Sequence, residues 1–287
     1  MERFRQQRTI GAPCSYSGIG IHTGQEVSLR FLPAREGEGV FFRRVDLPGA
    51  PVIPATVEYV AETRRGTTIA VGEAKIHTVE HVLAPLRAYE IDNVCIELSG
   101  IEPPAGNGSA DVFVEMIERV GIVEQAAKIP VASVKTPVWL DQGEVNIVAL
   151  PSETYKLTYV LHYPANKALG SQHFTLELTQ ESFREELAAC RTFSLYEELS
   201  MLMDRGLIRG GSLENAVIVC KDAIISKGGL YFADEAVRHK MLDLIGDLSL
   251  VGIPFTAHVI ALRSGHASNF AFAKRLYDHL LLENTKP

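Results

Sequence analysis

Residues 235–250, EAVRHKMLDLIGDLSL, carry the pattern that most constrains this chain. At about 100° per residue, the apolar side chains of one helix side are Met241, Leu244, Ile245 and Leu248. The opposite side carries His239, Lys240, Asp243 and Asp247 within about 100° of arc. Because His239 and Asp243 are four positions apart, an imidazole and a carboxylate project side by side, as two ligands of a divalent metal often do. The pattern fits a solvated polar face equally well, and only further ligands can decide between the two.

Composition narrows the class of protein. The chain has 287 residues and a formal net charge of -7, which argues against general nucleic-acid binding. Its four cysteines are far apart and form no C-x-x-C motif, so we expect free thiols in a reducing compartment. The first residues lack the apolar core of a signal peptide, and no apolar run approaches the ~20 residues of a membrane span. We therefore expect a cytoplasmic protein without an integral membrane segment.

The first half of the chain predicts a unit of strands and helices. Strands flank a glycine-rich stretch, SGIGIHTG, which puts His22 on a tight loop. Apolar spacing predicts a helix over residues 75–89, a strand at 93–98 and, after a loop, a helix at 111–120. The apolar pattern then lapses, and we predict a domain boundary between residues 126 and 127.

The second half repeats this order faintly. Its predicted elements are a hairpin within 134–150, the helix 235–250, a strand at 256–262, a glycine loop and a helix at 269–282. We predict two domains of one architecture, 1–126 and 127–287, with a small-molecule cleft between them. An additional segment at about 194–219 is rich in leucine and methionine. It fits ordinary packing, and it also fits an apolar channel for an aliphatic ligand.

The helix predicted over 75–89 offers further metal ligands. His77, Glu80 and His81 lie on its polar face. A glutamate next to a histidine suits zinc hydrolysis, because the histidine can hold the metal while the carboxylate takes a proton from water. Together with the helix 235–250 this gives a candidate set of His81, His239 and Asp243. Two histidines and one carboxylate leave a fourth position open, as catalytic zinc sites do.

A competing interpretation uses the same residues differently. His77 to His81 matches H-x-x-E-H, the inverted zinc-peptidase signature, in which both histidines bind zinc. That interpretation needs a distant helical glutamate, which the sequence does not offer in a clear position. It also leaves the polar face of residues 239–247 unexplained.

Outside the metal set, several side chains are candidates for acid–base or oxyanion chemistry. His266, at a predicted strand end, is a candidate general acid, and Asp247 is a candidate to fix its tautomer and orientation. Lys240 and Thr192 could stabilise a developing oxyanion. Each of these side chains could equally be an ordinary surface group.

Five spaced motifs together resemble the UDP-3-O-acyl-N-acetylglucosamine deacetylase family. The motifs are TVEH at 78–81, CRTF at 190–193, RGGS at 209–212, VRHKMLDLIGDL at 237–248 and SGHA at 264–267. The likeness also includes SGIGIHTG at 17–24 and runs over nearly the whole chain. Enzymes of this family are zinc amidases of the first committed step of lipid A (lipopolysaccharide) biosynthesis.

The resemblance implies a fold and a metal centre. The implied fold is α+β, with two similar sandwich domains whose helices pack between two mainly antiparallel sheets, each domain with an insertion. The implied zinc ligands are His81, His239 and Asp243. The resemblance makes Glu80 the base that activates water, and His266, supported by Asp247, the acid that protonates the departing amine. Iron(II) can also occupy a site of this kind.

The resemblance also implies how a UDP-linked acylated amino sugar binds. Thr192 and Lys240 would contact the substrate or the tetrahedral intermediate, and residues 194–219 would form the passage for the acyl chain. The residues expected to contact the rest of the substrate are Phe193, Gly211, Ser212, Tyr163 and His22. Of these, Tyr163 falls where the family has an aromatic ring against uracil.

Two features depart from the family pattern. Asn107 stands where the family usually has aspartate, and we expect it to have a structural role in its loop. His77 is outside the family's motif, so we expect no direct role in metal binding. Because the proposed catalytic residues are all present, a metal-free binding module for the nucleotide lipid is the less favoured hypothesis. We expect a monomer.

Overall fold

A computed structural model of the chain describes residues 3–284. The ends of the two predicted domains, residues 1–2 and 285–287, lie outside this range. The helices of the described part are α1 (Glu80–Ala88), α2 (Asp111–Val120), α3 (Gln180–Glu186), α4 (Tyr196–Asp204), α5 (Glu235–Ser249) and α6 (His266–Asn284). None of these helices is both long enough and apolar enough to cross a membrane.

The strands of the first half form one main sheet and one small sheet, except that the first of them joins the main sheet of the second half. They are β1 (Arg3–Ile10), β2 (Cys14–Ile19), β3 (Glu26–Pro33), β4 (Val40–Arg44), β5 (Val52–Pro54), β6 (Val60–Glu62), β7 (Thr68–Val71), β8 (Ala74–Ile76) and β9 (Val94–Leu98). The main sheet has the order β2-β3-β9-β4-β5, and only the β4–β9 pair is parallel. Strands β6, β7 and β8 form the small sheet, which is the insertion of this half. A short 3-10 helix covers Val57–Tyr59.

The second half builds the same sheet again. Its strands are β10 (Ile122–Ser133), β11 (Val138–Gln142), β12 (Val145–Leu150), β13 (Tyr155–Tyr163), β14 (Gly170–Glu177), β15 (Phe193–Leu195), β16 (Val217–Val219), β17 (Ile224–Ile225) and β18 (Phe255–Leu262). The order β11-β12-β18-β13-β14, with only β13 and β18 parallel, repeats the order and directions of the first sheet. Strands β15, β16 and β17 form a second small sheet beside α4. The predicted α+β class, with mainly antiparallel sheets and one insertion in each half, is confirmed.

A long strand lies where the apolar pattern of the sequence lapses. The 12 residues of β10 pair with β1 along their length and with the start of β18 at their end. Many of its side chains are exposed or half-buried, which explains the weak apolar signal. The predicted boundary between residues 126 and 127 falls inside this strand, and the division into two domains stays a prediction.

Helix α5 lies at the centre of the molecule. It packs against α1 on one side and against α6, β13 and β14 on the others. His239, Asp243 and Asp247 are buried, with exposed fractions of 2%, 3% and 1%, so their face is not solvated. Because buried polar groups must be paired or hold an ion, this face is where a site is expected. The bounds predicted from periodicity are correct to within one residue.

Helix α1 is shorter than the prediction of residues 75–89. Lys75 and Ile76 belong to β8, and the helix begins only at Glu80. Thr78 has a φ of 55°, in the left-handed region, which breaks any helical path from His77 to Val79. The prediction that His77 shares a helix face with Glu80 is therefore wrong. Glu80 and His81 occupy the first turn of α1.

The close crossing of α1 and α5 depends on Gly246. A Cβ at this position would overlap the carbonyl oxygen of Glu80. Alanine is normally better than glycine inside a helix by about 1 kcal/mol, but overpacking against a backbone atom costs about 1–3 kcal/mol. Because a backbone atom cannot rotate away, the cost should lie at about 2–3 kcal/mol, and we expect Gly246→Ala to lower the free energy of unfolding by about 1–2 kcal/mol, measured by denaturant titration. Gly265→Ala, which would meet no atom within 4 Å, is the control, and equal stability of the two variants would contradict the explanation.

Candidate metal centre and active site

The crossing of α1 and α5 brings together three side chains that could hold a metal. His81, His239 and Asp243 offer ligand atoms that all lie within 4.8 Å of one another. The Nε2 atoms of His81 and His239 lie 3.5 Å and 3.3 Å from Asp243 Oδ1. The two imidazole rings are edge-on, with centroids 5.0 Å apart. The set predicted from sequence is therefore a spatial cluster, built from both halves of the chain.

The state of these side chains fits a divalent cation. Asp243 Oδ1 is buried and has no hydrogen-bond partner among residues 3–284, which is costly unless an ion completes the site. His239 Nδ1 lies 3.0 Å from the carbonyl oxygen of Cys190, so its N–H donates there and Nε2 presents a lone pair. Burial lowers the pKa of His239 to about 4, which keeps that imidazole neutral.

Asp243 is an anion despite its burial. Burial opposes ionisation, but the nearby Lys240 ammonium and His239 hold the pKa of this carboxyl well below its usual range. Lys240 Nζ donates to Asp243 Oδ2 at 2.7 Å. One carboxylate oxygen is thus neutralised by lysine, and the other stays available between the two imidazoles.

Glu80 lies beside this cluster, in a position to act as a base. Its side chain is 2% exposed, and Oε2 accepts the backbone N–H of Thr67 at 2.9 Å. Burial raises the pKa of Glu80, which strengthens the carboxylate as a proton acceptor. Oε1 lies 3.9 Å from His266 Nε2, across the space in front of the cluster.

His266 lies opposite Glu80, at the first residue of α6. Its Nδ1 lies 2.9 Å from Asp247 Oδ2, as predicted for a carboxylate that orients a histidine. Burial lowers the pKa of His266, but Asp247 and Glu80 outweigh this effect and raise it to about 9. The imidazole therefore carries both protons near neutral pH, which suits a general acid.

A cavity of about 690 Å³ connects these groups. Thr192 and Lys240 line it, and so do the five residues predicted to contact substrate, Phe193, Gly211, Ser212, Tyr163 and His22. One part of the wall is apolar and consists of Leu195, Leu199, Leu202, Met203, Ile208 and Leu213, all from the predicted insertion. Asp247 is not in the wall but lies behind His266.

The glycine loop and the RGGS turn meet at this cavity. Gly210 N–H donates to the Ile21 carbonyl at 3.0 Å, and a Cβ at position 210 would overlap the carbonyl oxygen of Gly20. The buried Glu102 carboxylate accepts the backbone N–H of His22 at 3.1 Å and that of Thr23 at 3.0 Å. Glu102 was not predicted from sequence, because the surrounding GIEPPAG has no recognisable pattern.

The Asn107 loop lies next to the cavity wall. Asn107 Oδ1 accepts the Ser109 hydroxyl at 2.6 Å and the Ser109 backbone N–H at 3.2 Å. The carbonyl of Gly108 accepts the backbone N–H of Thr192 at 2.8 Å. These contacts agree with the structural role expected for Asn107.

His77 lies apart from the metal cluster. Its Nδ1 is 2.7 Å from the Thr68 hydroxyl, and it belongs to neither of the two groups of side chains that could hold a metal in the described range. We expect His77→Ala to keep one metal per chain, measured by metal analysis after dialysis. Loss of the metal would favour the peptidase interpretation, in which His77 and His81 bind zinc.

Comparisons with known proteins agree with the motifs. Residues 7–278 match the protein family described as UDP-3-O-acyl N-acetylglycosamine deacetylase. The chain is 49% identical over 279 residues to the UDP-3-O-acyl-N-acetylglucosamine deacetylase of Chlamydia pneumoniae, covering 97% of this chain and 99% of the relative. The chain is also 49% and 48% identical, over 276 residues, to the proteins of the same name from Chlamydia caviae and Chlamydia felis. Each of these alignments covers 96% of this chain and 98% of the relative.

Proposed function

Because the chain belongs to the UDP-3-O-acyl N-acetylglycosamine deacetylase family, we propose that it hydrolyses the N-acetyl group of UDP-3-O-acyl-N-acetylglucosamine. The products are acetate and UDP-3-O-acyl-glucosamine, in lipid A biosynthesis. One observation carries the proposal within the molecule. An unpartnered, buried Asp243 oxygen lies between two imidazoles and next to Glu80, at a cavity with an apolar wall.

The proposed cofactor is one zinc ion on His81, His239 and Asp243. When bound, zinc polarises the amide carbonyl and lowers the pKa of water. The donor set of two imidazoles and one carboxylate matches catalytic zinc sites. Iron(II) is a second metal that such ligands accept.

The chain's own residues divide the proton transfers between them. Glu80 accepts a proton from the attacking water, and His266 donates its Nε2 proton to the departing nitrogen as the C–N bond breaks. Asp247 holds the imidazolium through Nδ1. Thr192 and Lys240, which line the cavity, stabilise the negative charge that develops on the amide oxygen.

The cavity supports the choice of substrate. We assign its apolar wall from residues 194–219 to the acyl chain, and Phe193, Gly211 and Ser212 to the sugar and nucleotide, with Tyr163 against the uracil ring. His22, on the glycine loop held by Glu102, completes the binding set. The assignment gives a purpose to apolar side chains that would otherwise line an open cavity.

We further propose that the protein works in the cytoplasm as a monomer. Its four cysteines are free, which suits a reducing compartment. All the proposed site residues come from one chain, so the site needs no second copy.

The direct test is acetate release from UDP-3-O-acyl-N-acetylglucosamine by the purified protein. We expect release that stops after treatment with a chelator and returns when zinc is added back. The same assay with iron(II) compares the two metals. A metal-loaded protein that binds the nucleotide lipid but releases no acetate, across several acyl lengths, would instead support a binding module.

A further inference from the structure

Asp247, the carboxylate behind His266, has three hydrogen-bond donors around it. Oδ2 accepts from His266 Nδ1 at 2.9 Å and from Asn269 Nδ2 at 2.8 Å, both on α6. Oδ1 accepts from the Thr67 hydroxyl at 2.6 Å. Since Asp247 is 1% exposed, its orientation depends on these donors and not on water. Thr67 is the one of the three that comes from the other half of the chain, 180 positions away.

Thr67 also contacts the proposed base. Its backbone N–H donates to Glu80 Oε2 at 2.9 Å, and its carbonyl accepts the backbone N–H of Val79 at 3.2 Å. The residue is fully buried, with an exposed fraction of 0%. Two hydrogen bonds therefore fix the backbone of Thr67 to the start of α1. The Thr67 hydroxyl that bonds Asp247 is held in place by the same backbone.

We propose that Thr67 is a positioning residue that fixes the base and the acid of the reaction relative to each other. It acts on Glu80 directly and on His266 through Asp247. This inference rests on the proposed function, in which Glu80 takes a proton on one side of the amide and His266 gives one on the other. Glu80 Oε1 and His266 Nε2 are 3.9 Å apart, and a misplacement of about 1 Å can cost about 100-fold in rate.

The adjacent residue offers a matched control. Thr68 is also a buried threonine, with an exposed fraction of 3%, and its hydroxyl bonds His77 Nδ1 at 2.7 Å instead. Valine at either position keeps the shape of the side chain and removes one buried hydroxyl. Only at position 67 does that hydroxyl contact the residue that orients His266.

The first measurement is steady-state kinetics of zinc-loaded Thr67→Val, Thr67→Ser and Thr68→Val. We expect Thr67→Val to lower kcat about 10- to 100-fold, with KM and zinc content within about twofold of the wild type. Thr67→Ser keeps the hydroxyl and Thr68→Val keeps Thr67 intact, so the kcat of both variants should stay within about threefold of the wild-type value. Thr67→Ala gives the same comparison if the valine variant does not purify folded.

A double-mutant cycle separates positioning from general destabilisation. If Thr67 acts through Asp247, Thr67→Val should add less than about twofold to the loss caused by Asp247→Asn alone, because the two changes interrupt the same chain of contacts. If the loss of kcat in the double variant equals the product of the losses in the two single variants, the inference is overturned.

A readout independent of turnover is the Nδ1 proton resonance of His266 in zinc-loaded, 15N-histidine-labelled protein, assigned by its absence in His266→Gln. We expect Thr67→Val to shift this resonance and Thr68→Val to leave it in place. An unshifted resonance with unchanged kcat in Thr67→Val would overturn the inference while leaving the proposed function intact. A wild type that releases no acetate would overturn the proposed function as well.

Discussion

Glu80→Gln is expected to lower kcat by about 100- to 10,000-fold, which is the contribution usual for a positioned general base. Glutamine has the same shape and can still accept the Thr67 backbone N–H, which lies 2.9 Å from Oε2 in the wild type. It cannot take a proton from water. Glu80 is outside the proposed ligand set, so zinc content and KM should change little.

The measurement is single-turnover acetate release with zinc content determined on the same samples. Glu62→Gln is the control, because Glu62, the last residue of β6, pairs with the exposed Arg64 and is absent from the cavity wall. It should retain wild-type turnover. If Glu80→Gln loses zinc and then turns over normally once reloaded, Glu80 is not the base.

His239→Ala is expected to lower metal affinity by more than about 100-fold. Loss of a partner that only orients a ligand already costs about 10- to 100-fold, and His239 supplies the ligand atom itself. The variant would also leave the Cys190 carbonyl without the imidazole that bonds it at 3.0 Å. Activity at limiting zinc should fall to background.

Metal titration against a chromogenic chelator measures this affinity. His258→Ala is the control, because His258 lies on β18 and its Nε2 bonds the Thr158 hydroxyl at 2.9 Å, away from the cluster. A His239→Ala protein that stays fully loaded with zinc through dialysis would remove His239 from the ligand set.

Periodic elements were the predictable part of this fold. The 15 residues of α5 carry a regular apolar spacing, and the prediction missed its end by one residue. The apolar positions Val79, Val82, Leu83 and Leu86 predict a helix from residue 75, but Thr78 takes a left-handed φ of 55° and the helix begins only at Glu80. The residues around this turn, His77 to Val79, include no glycine or asparagine, the types that favour a left-handed φ, so the sequence alone could not have located it.

The candidate site likewise contains residues that the sequence pattern predicts and residues that only the packing brings together. His239 and Asp243 are visible because helix geometry links positions four apart. The Thr67–Asp247 hydrogen bond spans 180 positions and depends only on how two halves pack, so no local pattern could reveal it. Glu102 was missed for the same reason, since the backbone N–H groups it accepts belong to a loop about 80 positions earlier.

The repeated strand order points to the ancestry of the site. The two main sheets have the same strand order and the same strand directions. In each sheet the strand that is third in this order, β9 or β18, has one helix before it and one after it in the chain. Tandem duplication of one unit is the simplest explanation of this repeat. In a symmetric ancestor, α1 and α5 would be copies, and every position on the crossing would exist twice. Within a single chain the two copies are free to differ in sequence. In the present chain the first turn of α1 carries Glu80 and His81, whereas α5 carries His239, Asp243 and Asp247, so the two crossing helices now supply different groups to one site.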